Sequence, residues 1–344
     1  RQEVCVLTET KRQLSAELNK QQQDFIGKSE VMQQVFNVIE RAAKPDANIL
    51  ILGESGTGKE VVAREIHRQS LRAQEVFISV DVGSLSDNLF ESELFGHRKG
   101  AFTGAQEERS GRFELANNGS LFLDELGNVP LALQAKLLTA IQQKRVTKVG
   151  GNQSTEVNIR LICATNENLI KRVAEQSFRQ DLLYRINTVE IHLPPLRERK
   201  TDIPLLVDYY LQKFTQRYKR PSLEVTKLTY NALMDYHWPG NIRELAHCIE
   251  RAVILSPGKE LDLTSMGLSS SVDIGLISAN DKGDLTQSEP MAVNHELPTL
   301  NIAQLEITAM RAALKQQQGN VSQAAKLLGI TRMSLYRRME KHGL

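Results

Sequence analysis

Between about Phe25 and Thr188, short apolar runs alternate with segments whose apolar residues recur at helical spacing. The runs Asn48 to Leu52, Val76 to Val80, Leu121 to Leu123 and Ile159 to Ala164 read as strands, and their alternation with helices predicts an α/β layered sheet. From Asp202 to Leu255 the pattern turns helical. Ile203, Leu206, Val207 and Tyr210 share one face, Leu228 and Leu233 follow, and Ile242, Leu245, Ile249 and Val253 mark a third helix, so a small helical subdomain is expected. Residues 1–23 are polar and Gln-rich, with Leu7, Leu14 and Leu18 on one narrow stripe. That stripe suits a connecting or pairing helix and a plain solvated helix equally well. Residues 264–300 are rich in Ser, Asn, Asp and Gly and read as a flexible linker, and 301–344 are helical again. The expected division is therefore 1–23, 24–193, 194–263, 264–300 and 301–344.

Composition narrows this picture little: 41% apolar and 24% charged residues are ordinary for a globular chain of 344 residues. Charge is more informative once divided. Residues 301–344 carry seven basic and two acidic side chains, whereas the rest has 36 basic against 39 acidic, so the overall +2 hides a basic end on a mildly acidic body. A basic end suggests nucleic acid as its partner. Cys5, Cys163 and Cys248 lie far apart with no CxxC, which indicates neither a disulfide framework nor a structural zinc site and makes a reducing cytoplasm the expected location. No apolar run reaches the roughly 18 residues of a membrane span.

The chemistry begins where the Asn48 run enters GESGTGKE, composed of Gly53, Glu54, Ser55, Gly56, Thr57, Gly58, Lys59 and Glu60, ahead of a helical pattern at Val61, Val62 and Ile66. A strand, a glycine loop and a helix N-terminus form the context of a P-loop: small residues let backbone amides wrap phosphates, and Lys59 reaches the outer ones. Glu60 stands where such loops usually place Ser or Thr, so the hydroxyl ligand to Mg2+ is lost. Downstream, Leu121 to Leu123 ends in Asp124 and Glu125. After a P-loop that pair suits Mg2+ ligation by Asp124 and polarisation of an attacking water by Glu125; alone, it would more often be a helix cap.

At Gly100, Ala101, Phe102, Thr103, Gly104 and Ala105 the chain reads GAFTGA, a loop tip with an exposed apolar contact. With GESGTGKE, ESELFGH (91–97), LFLDE (121–125), FRQDLLYRI (178–186), LPPLRER (193–199) and WPGNIREL (238–245), it closely resembles the bacterial enhancer-binding proteins, AAA+ ATPases that activate sigma-54 RNA polymerase. The resemblance covers residues 25 to 262. It implies an AAA+ fold with a parallel-sheet core and a helical lid, ATP and Mg2+ as cofactors, and a homo-oligomeric ring, hexamer or heptamer. Residues 100–105 would contact sigma-54. Asn166, after the fourth strand, would sense the γ-phosphate; Arg179 and Arg185 would be arginine fingers acting on a neighbouring subunit; Arg243 would be a second sensor. The bland readings are a surface loop, a strand-end turn and salt-bridged surface arginines. Trp238 reads as core. Asp81 departs from the family, many members of which place Asn there to hold the catalytic Glu away from water. A carboxylate without its proton cannot donate that bond, so ATPase control is expected to differ.

Residues 320–340 place Ala324, Leu327 and Leu328 on one helix, Gly329 in a turn, Thr331 as an N-cap, and Leu335 and Met339 on a second helix at about 331–341. Arg332, Ser334, Arg337 and Arg338 are expected on the outward face, within reach of base edges or phosphates of double-stranded DNA. This all-α end resembles the Fis-type helix-turn-helix, which acts as a dimer. The expected function is ATP-driven opening of the sigma-54 promoter complex from an upstream DNA element, with a two-component receiver ahead of residue 1 compatible with the family. Two rivals are a DNA-binding regulator that acts by occupancy with a vestigial ATPase, and an AAA+ remodeller of another target.

Overall fold

In the computed structural model the described residues are 25–84, 87–220, 223–256, 260–261, 266, 310, 313, 320–327 and 332–342. The expected helix over 1–23 and nearly all of the expected linker over 264–300 lie outside them. The chain divides into two compact units, Arg1–Ser278 and Ala279–Leu344.

The first unit is built on a five-stranded parallel sheet of β1 (Ile49–Leu52), β2 (Phe77–Asp81), β3 (Ser120–Asp124), β4 (Arg160–Thr165) and β5 (Val189–His192), in the order β2-β3-β4-β1-β5. Successive strand residues face opposite layers, and the sequence supplies apolar side chains for both. Ile49, Ile51, Phe122 and Ile162 pack with Met32, Ile39, Val62 and Ile66 from α1 (Glu30–Ala43) and α2 (Lys59–Arg68). Leu50, Leu121, Leu123, Leu161 and Cys163 pack on the other face with α3 (Asp87–Phe95), α4 (Leu131–Gln143) and α5 (Gln180–Ile186). The register sets Asp81 opposite Asp124 and Leu52 opposite Thr165, so the carboxyl ends of β1 to β4 line up along one edge. Ligands of open parallel sheets bind at that edge.

Four strands fall within a residue or two of their expected places, but β5 is not among the runs read from sequence. Val189-Glu190-Ile191-His192 pairs only with β1 at the sheet margin, so every second side chain is polar and the continuous apolar run of a central strand is absent.

Beyond β5 lie α6 (Ile203–Arg217), α7 (Lys227–Asp235) and α8 (Asn241–Leu255). Leu206, Val207, Phe214, Leu245, Ile249 and Val253 surround Trp238, whose buried indole N–H donates to the Leu233 carbonyl at 2.7 Å. Leu228 is not part of this core as its spacing suggested: it is 80% exposed, because the first turn of α7 turns Thr229 inward instead. Asp202, fully buried, accepts from the Lys28 and Ser29 backbone N–H groups at 2.6 and 2.7 Å and from the Ser29 hydroxyl at 2.7 Å, which anchors the entry to α1 on the start of α6.

In the second unit, α9 (Val321–Leu327) and α10 (Arg332–His342) bury Ala324, Ala325 and Leu335 with Met310 and Ala313. Met339 packs against them as expected. The expected contributions of Leu328, Gly329 and Thr331 lie outside the described residues.

A buried cation links sheet and helix. Arg160, at the start of β4, donates to the carbonyls of Ala43 and Ala42 at 2.6 Å each, the terminal carbonyls of α1 that have no partner within the helix. Arg160→Met keeps most of the packing but leaves those carbonyls unpaired, and is expected to cost about 2–4 kcal/mol of stability. An unchanged urea midpoint would show that the cap is dispensable.

Candidate functional site

The P-loop joins β1 to α2. Gly56 has φ +78°, and a Cβ there would come within 2.3 Å of the Gly240 carbonyl oxygen, so both backbone conformation and the approach of the lid require glycine. Lys59 is buried at the first position of α2 and donates to the Gly53 and Glu54 carbonyls at 3.0 and 3.1 Å. Those bonds hold its ammonium under the loop that it is to serve.

Across the cleft, β3 ends in Asp124, whose Oδ1 accepts from the Glu125 N–H at 2.9 Å. Burial pushes the Lys59 ammonium below its ordinary pKa and the Asp124 carboxyl above its own, while the attraction between them opposes both shifts. Two opposite charges thus face a desolvated space that a phosphate chain and a cation would fill. Glu125 stands at φ +55°, a strained conformation that fixes the direction of its side chain, and accepts from the Asn128 amide at 2.9 Å.

The cleft has a volume of about 400 Å3 and is bounded by Ser55–Val61, Asp124, Glu125, Asn166, Arg243 and residues of α6 and α8. The structure therefore brings Asn166 and Arg243 to the same cleft as the P-loop. Arg243 donates to the Ser55 hydroxyl at 2.9 Å. Glu54, expected among nucleotide-binding groups, turns its carboxylate elsewhere: Arg197 grips it with two bonds of 2.8 and 2.6 Å and Asn241 adds a third at 3.1 Å. Glu60 lines the cleft but is paired with Arg64 at 2.7 Å. Arg179 and Arg185 do not line this cleft; Arg179 pairs with Asp181 at 2.6 Å and Arg185 is exposed.

Sequence reasoning missed Phe25, Ile26, Arg199, Leu206 and Tyr210, which line the far end of the cleft. Arg199 lay within the quoted motif LPPLRER, yet only the fold shows that its buried guanidinium donates to the Thr57 carbonyl at 2.9 Å. The other four are apolar or aromatic residues that resemble core in a sequence.

Mg2+ fits the donors present. Asp124 offers one carboxylate at the phosphate end, and among the described residues no cluster of three or more His, Cys, Asp or Glu competes with it. One protein carboxylate plus phosphate oxygens and water is an ordinary Mg2+ environment.

The loop of residues 100–105 is closed by the Gly100 N–H donating to the Ala105 carbonyl at 2.8 Å. Phe102 remains 40% exposed while its ring meets His97 edge-on at 5.1 Å, and Thr103 is exposed. The paired segments Gly96–His97 and Arg109–Ser110 form the base of the loop. In the second unit Arg332 and Arg337 are exposed on α10, with the Arg332 guanidinium 5.6 Å from the Tyr336 ring centroid; Ser334 is half-buried and Arg338 lies on the same helix.

A parallel sheet, a P-loop after β1, a carboxylate pair at the end of β3 and a helical lid over the cleft define an AAA+ ATPase. Residues 25–192 match the sigma-54 interaction domain, 197–270 the AAA+ ATPase lid domain and 301–342 the Fis family of bacterial regulatory proteins. The Nif-specific regulatory protein of Herbaspirillum seropedicae is 50% identical over 73% of this chain and 47% of its own length. The regulatory protein AtoC of Escherichia coli (strain K12) is 41% identical over 92% of this chain and 67% of its own. The alginate biosynthesis transcriptional regulatory protein AlgB of Pseudomonas putida is 40% identical over 99% and 72%. The chain thus spans between about half and three quarters of the length of these relatives. The crystal structure of NtrX from Brucella abortus in complex with ADP is similar at a TM-score of 0.72 with 29% identity, covering 100% of this chain and 75% of that one; NtrX in complex with ATP gives 0.70. The chain belongs to the sigma-54-interacting AAA+ regulators that carry a Fis-type helix-turn-helix, the bacterial enhancer-binding proteins.

Hydrogen bonds from Arg197 and Asn241 hold the Glu54 carboxyl at about 2, down from the usual 4.5. A lowered folded-state value means that the Glu54–Arg197 pair contributes fully above pH 4.5 and is lost as pH falls towards about 2. Glu54→Gln should therefore melt below the wild type at neutral pH, and the gap should close across that interval. A gap that stays constant as pH falls would show that charge on Glu54 is not what joins loop and lid.

Proposed function

We propose that this protein hydrolyses ATP at the cleft between sheet and lid and uses the resulting movement to remodel a sigma-54 RNA polymerase complex, while its C-terminal unit holds an upstream DNA element. The observation that carries the reading is the convergence of Lys59, Asp124, Glu125, Asn166 and Arg243 on one cleft. Family membership and the ADP and ATP complexes of NtrX support the choice of nucleotide.

Each residue then has a role set by its surroundings. The amides of Gly56 to Lys59 and the Lys59 ammonium bind the phosphates, and Asp124 with water holds Mg2+. When bound, that ion neutralises charge on the β- and γ-phosphates. Glu125 orients the attacking water and takes its proton. Asn166 reads the presence of the γ-phosphate, and Arg243, on the lid helix, converts its loss into a change of lid angle. Arg179 and Arg185, away from the cleft of their own chain, act on the nucleotide of a neighbouring copy, which makes a homo-oligomeric ring part of the mechanism. Phe102 and Thr103, exposed on their loop, are the contact to sigma-54. α10, which carries Arg332, Ser334, Arg337 and Arg338, meets DNA, with a second copy of the unit completing a dimeric reader.

Lys59→Ala is expected to abolish ATP binding, Glu125→Gln to keep binding and lose turnover, and Thr103→Ala to keep turnover while losing activation. Equilibrium nucleotide binding, phosphate release and sigma-54-dependent transcription in vitro separate the three. Normal regulation by Lys59→Ala would favour a regulator acting by occupancy. Sedimentation with purified sigma-54 should show a complex with ADP plus a metal fluoride and none without nucleotide; absence of that complex despite ATPase activity would move the target to another client.

A further inference from the structure

Glu125 is the group whose freedom decides whether the cleft turns over, and its carboxylate is held on two sides. Asn128 donates from its side-chain amide to Oε2 at 2.9 Å. On the other side Oε2 lies where a Gly83 Cβ would stand, 1.9 Å from the ideal position, so the carboxylate reaches this seat only because residue 83 has no side chain. Asp81, at the end of β2, does not reach for Glu125. Its Oδ1 accepts from the Gly83 N–H at 3.0 Å and so shapes the turn on which the carboxylate rests. A carboxylate supplies no hydrogen for the purpose.

The turn that carries Asn128 is fixed in its own right. The Asn128 N–H donates to the Glu125 carbonyl at 2.9 Å, and the preceding residue, Gly127, gives its carbonyl to Arg172 at 2.9 Å. Arg172 also binds Glu167 at 2.5 Å, the residue after Asn166. The amide is therefore presented to Glu125 by a turn tied to the end of β4.

We propose that Asn128 is a positioning residue that holds the Glu125 carboxylate on the Gly83 turn and out of service as a base, so that the restraint on hydrolysis comes from the turn after β3. The inference rests on the reading of Glu125 as the base. An amide donor occupies a lone pair of Oε2 and opposes rotation towards water, both of which lower its competence to take a proton.

Three variants test it. Asn128→Asp keeps the shape and removes the donor, Asn128→Ala removes the side chain, and Gly83→Ala keeps the Asn128 side chain while its Cβ displaces the flexible carboxylate and presses on the Asn128 amide nitrogen, 3.1 Å away. Each should raise basal kcat about fivefold, the size of one solvent-accessible hydrogen bond, with KM for ATP and the melting temperature unchanged. The comparison is made at a matched oligomeric state, checked by sedimentation. In a Glu125→Gln background the same changes should have no effect on turnover. Unchanged or lowered kcat in Asn128→Asp and Gly83→Ala, with Glu125→Gln inactive, overturns the restraint and leaves the base assignment standing. Full turnover by Glu125→Gln overturns the base assignment, and the restraint with it.

Discussion

Two helix N-termini meet at the P-loop, and the structure depends on how differently their free N–H groups are used. The first N–H groups of any α-helix lack partners within the helix. At α8 those of Ile242 and Arg243 donate to the Gly56 carbonyl at 3.0 and 3.3 Å, and Asn241 bridges the Ser55 carbonyl and the Leu196 N–H. The lid helix is thus capped by the phosphate-binding loop itself. At α2, by contrast, Gly58 occupies the N-cap and provides no side-chain cap, which leaves that N-terminus open to the cleft. One terminus joins lid to core and the other receives the ligand, and both conditions fall on the backbone between Ser55 and Lys59.

This arrangement gives the buried charges their meaning. Burial displaces Lys59 and Asp124 towards their neutral forms, and the attraction between them opposes it. Two arginines of one segment hold the loop: Arg199, which lines the cleft, donates to the Thr57 carbonyl, and Arg197 grips Glu54. The loop is thereby fixed by cations at its Glu54 side chain and at its Thr57 carbonyl. A change in lid position must then disturb the same backbone that holds the phosphates, since Gly56 serves both.

What was legible in the sequence was local. GESGTGKE, Asp124-Glu125 and the alternation of strands with helices are short-range patterns, because turn chemistry and side-chain period act over a few residues. The part that escaped depends on distant partners. β5 looked polar since it pairs on one side only, and Leu228 matched a helical face that the fold turned towards solvent. Glu54 carried no sign in its motif that Arg197, far along the chain, would claim it. Asn128 was invisible for the same reason in miniature: its bond to Glu125 needs the left-handed backbone at Glu125, which spacing does not encode. The departure at Asp81, however, was plain from the sequence, and in the structure its carboxylate accepts from the Gly83 N–H.

Chain path joins the seat of Glu125 to the loop at residues 100–105. The segment between β2 and β3 is one excursion from the sheet: it leaves at Asp81, turns at Gly83, runs through α3, forms the loop and returns to β3 ahead of Asp124. Its departure and arrival are neighbours in register, Asp81 beside Asp124, and the Glu125 carboxylate rests on the first turn of the excursion. The base of the loop is stiffened by the pairing of Gly96–His97 with Arg109–Ser110 and by the Arg98 N–H donating to the Val149 carbonyl at 3.1 Å. Glu93, on α3, binds Arg109 and Arg112 at 2.7 and 2.9 Å and so ties the helix to the returning strand. Between the Gly83 turn and the loop the described residues form α3 and the first of the two paired segments. The turn that seats the Glu125 carboxylate is therefore placed at the root of the element that carries the 100–105 loop.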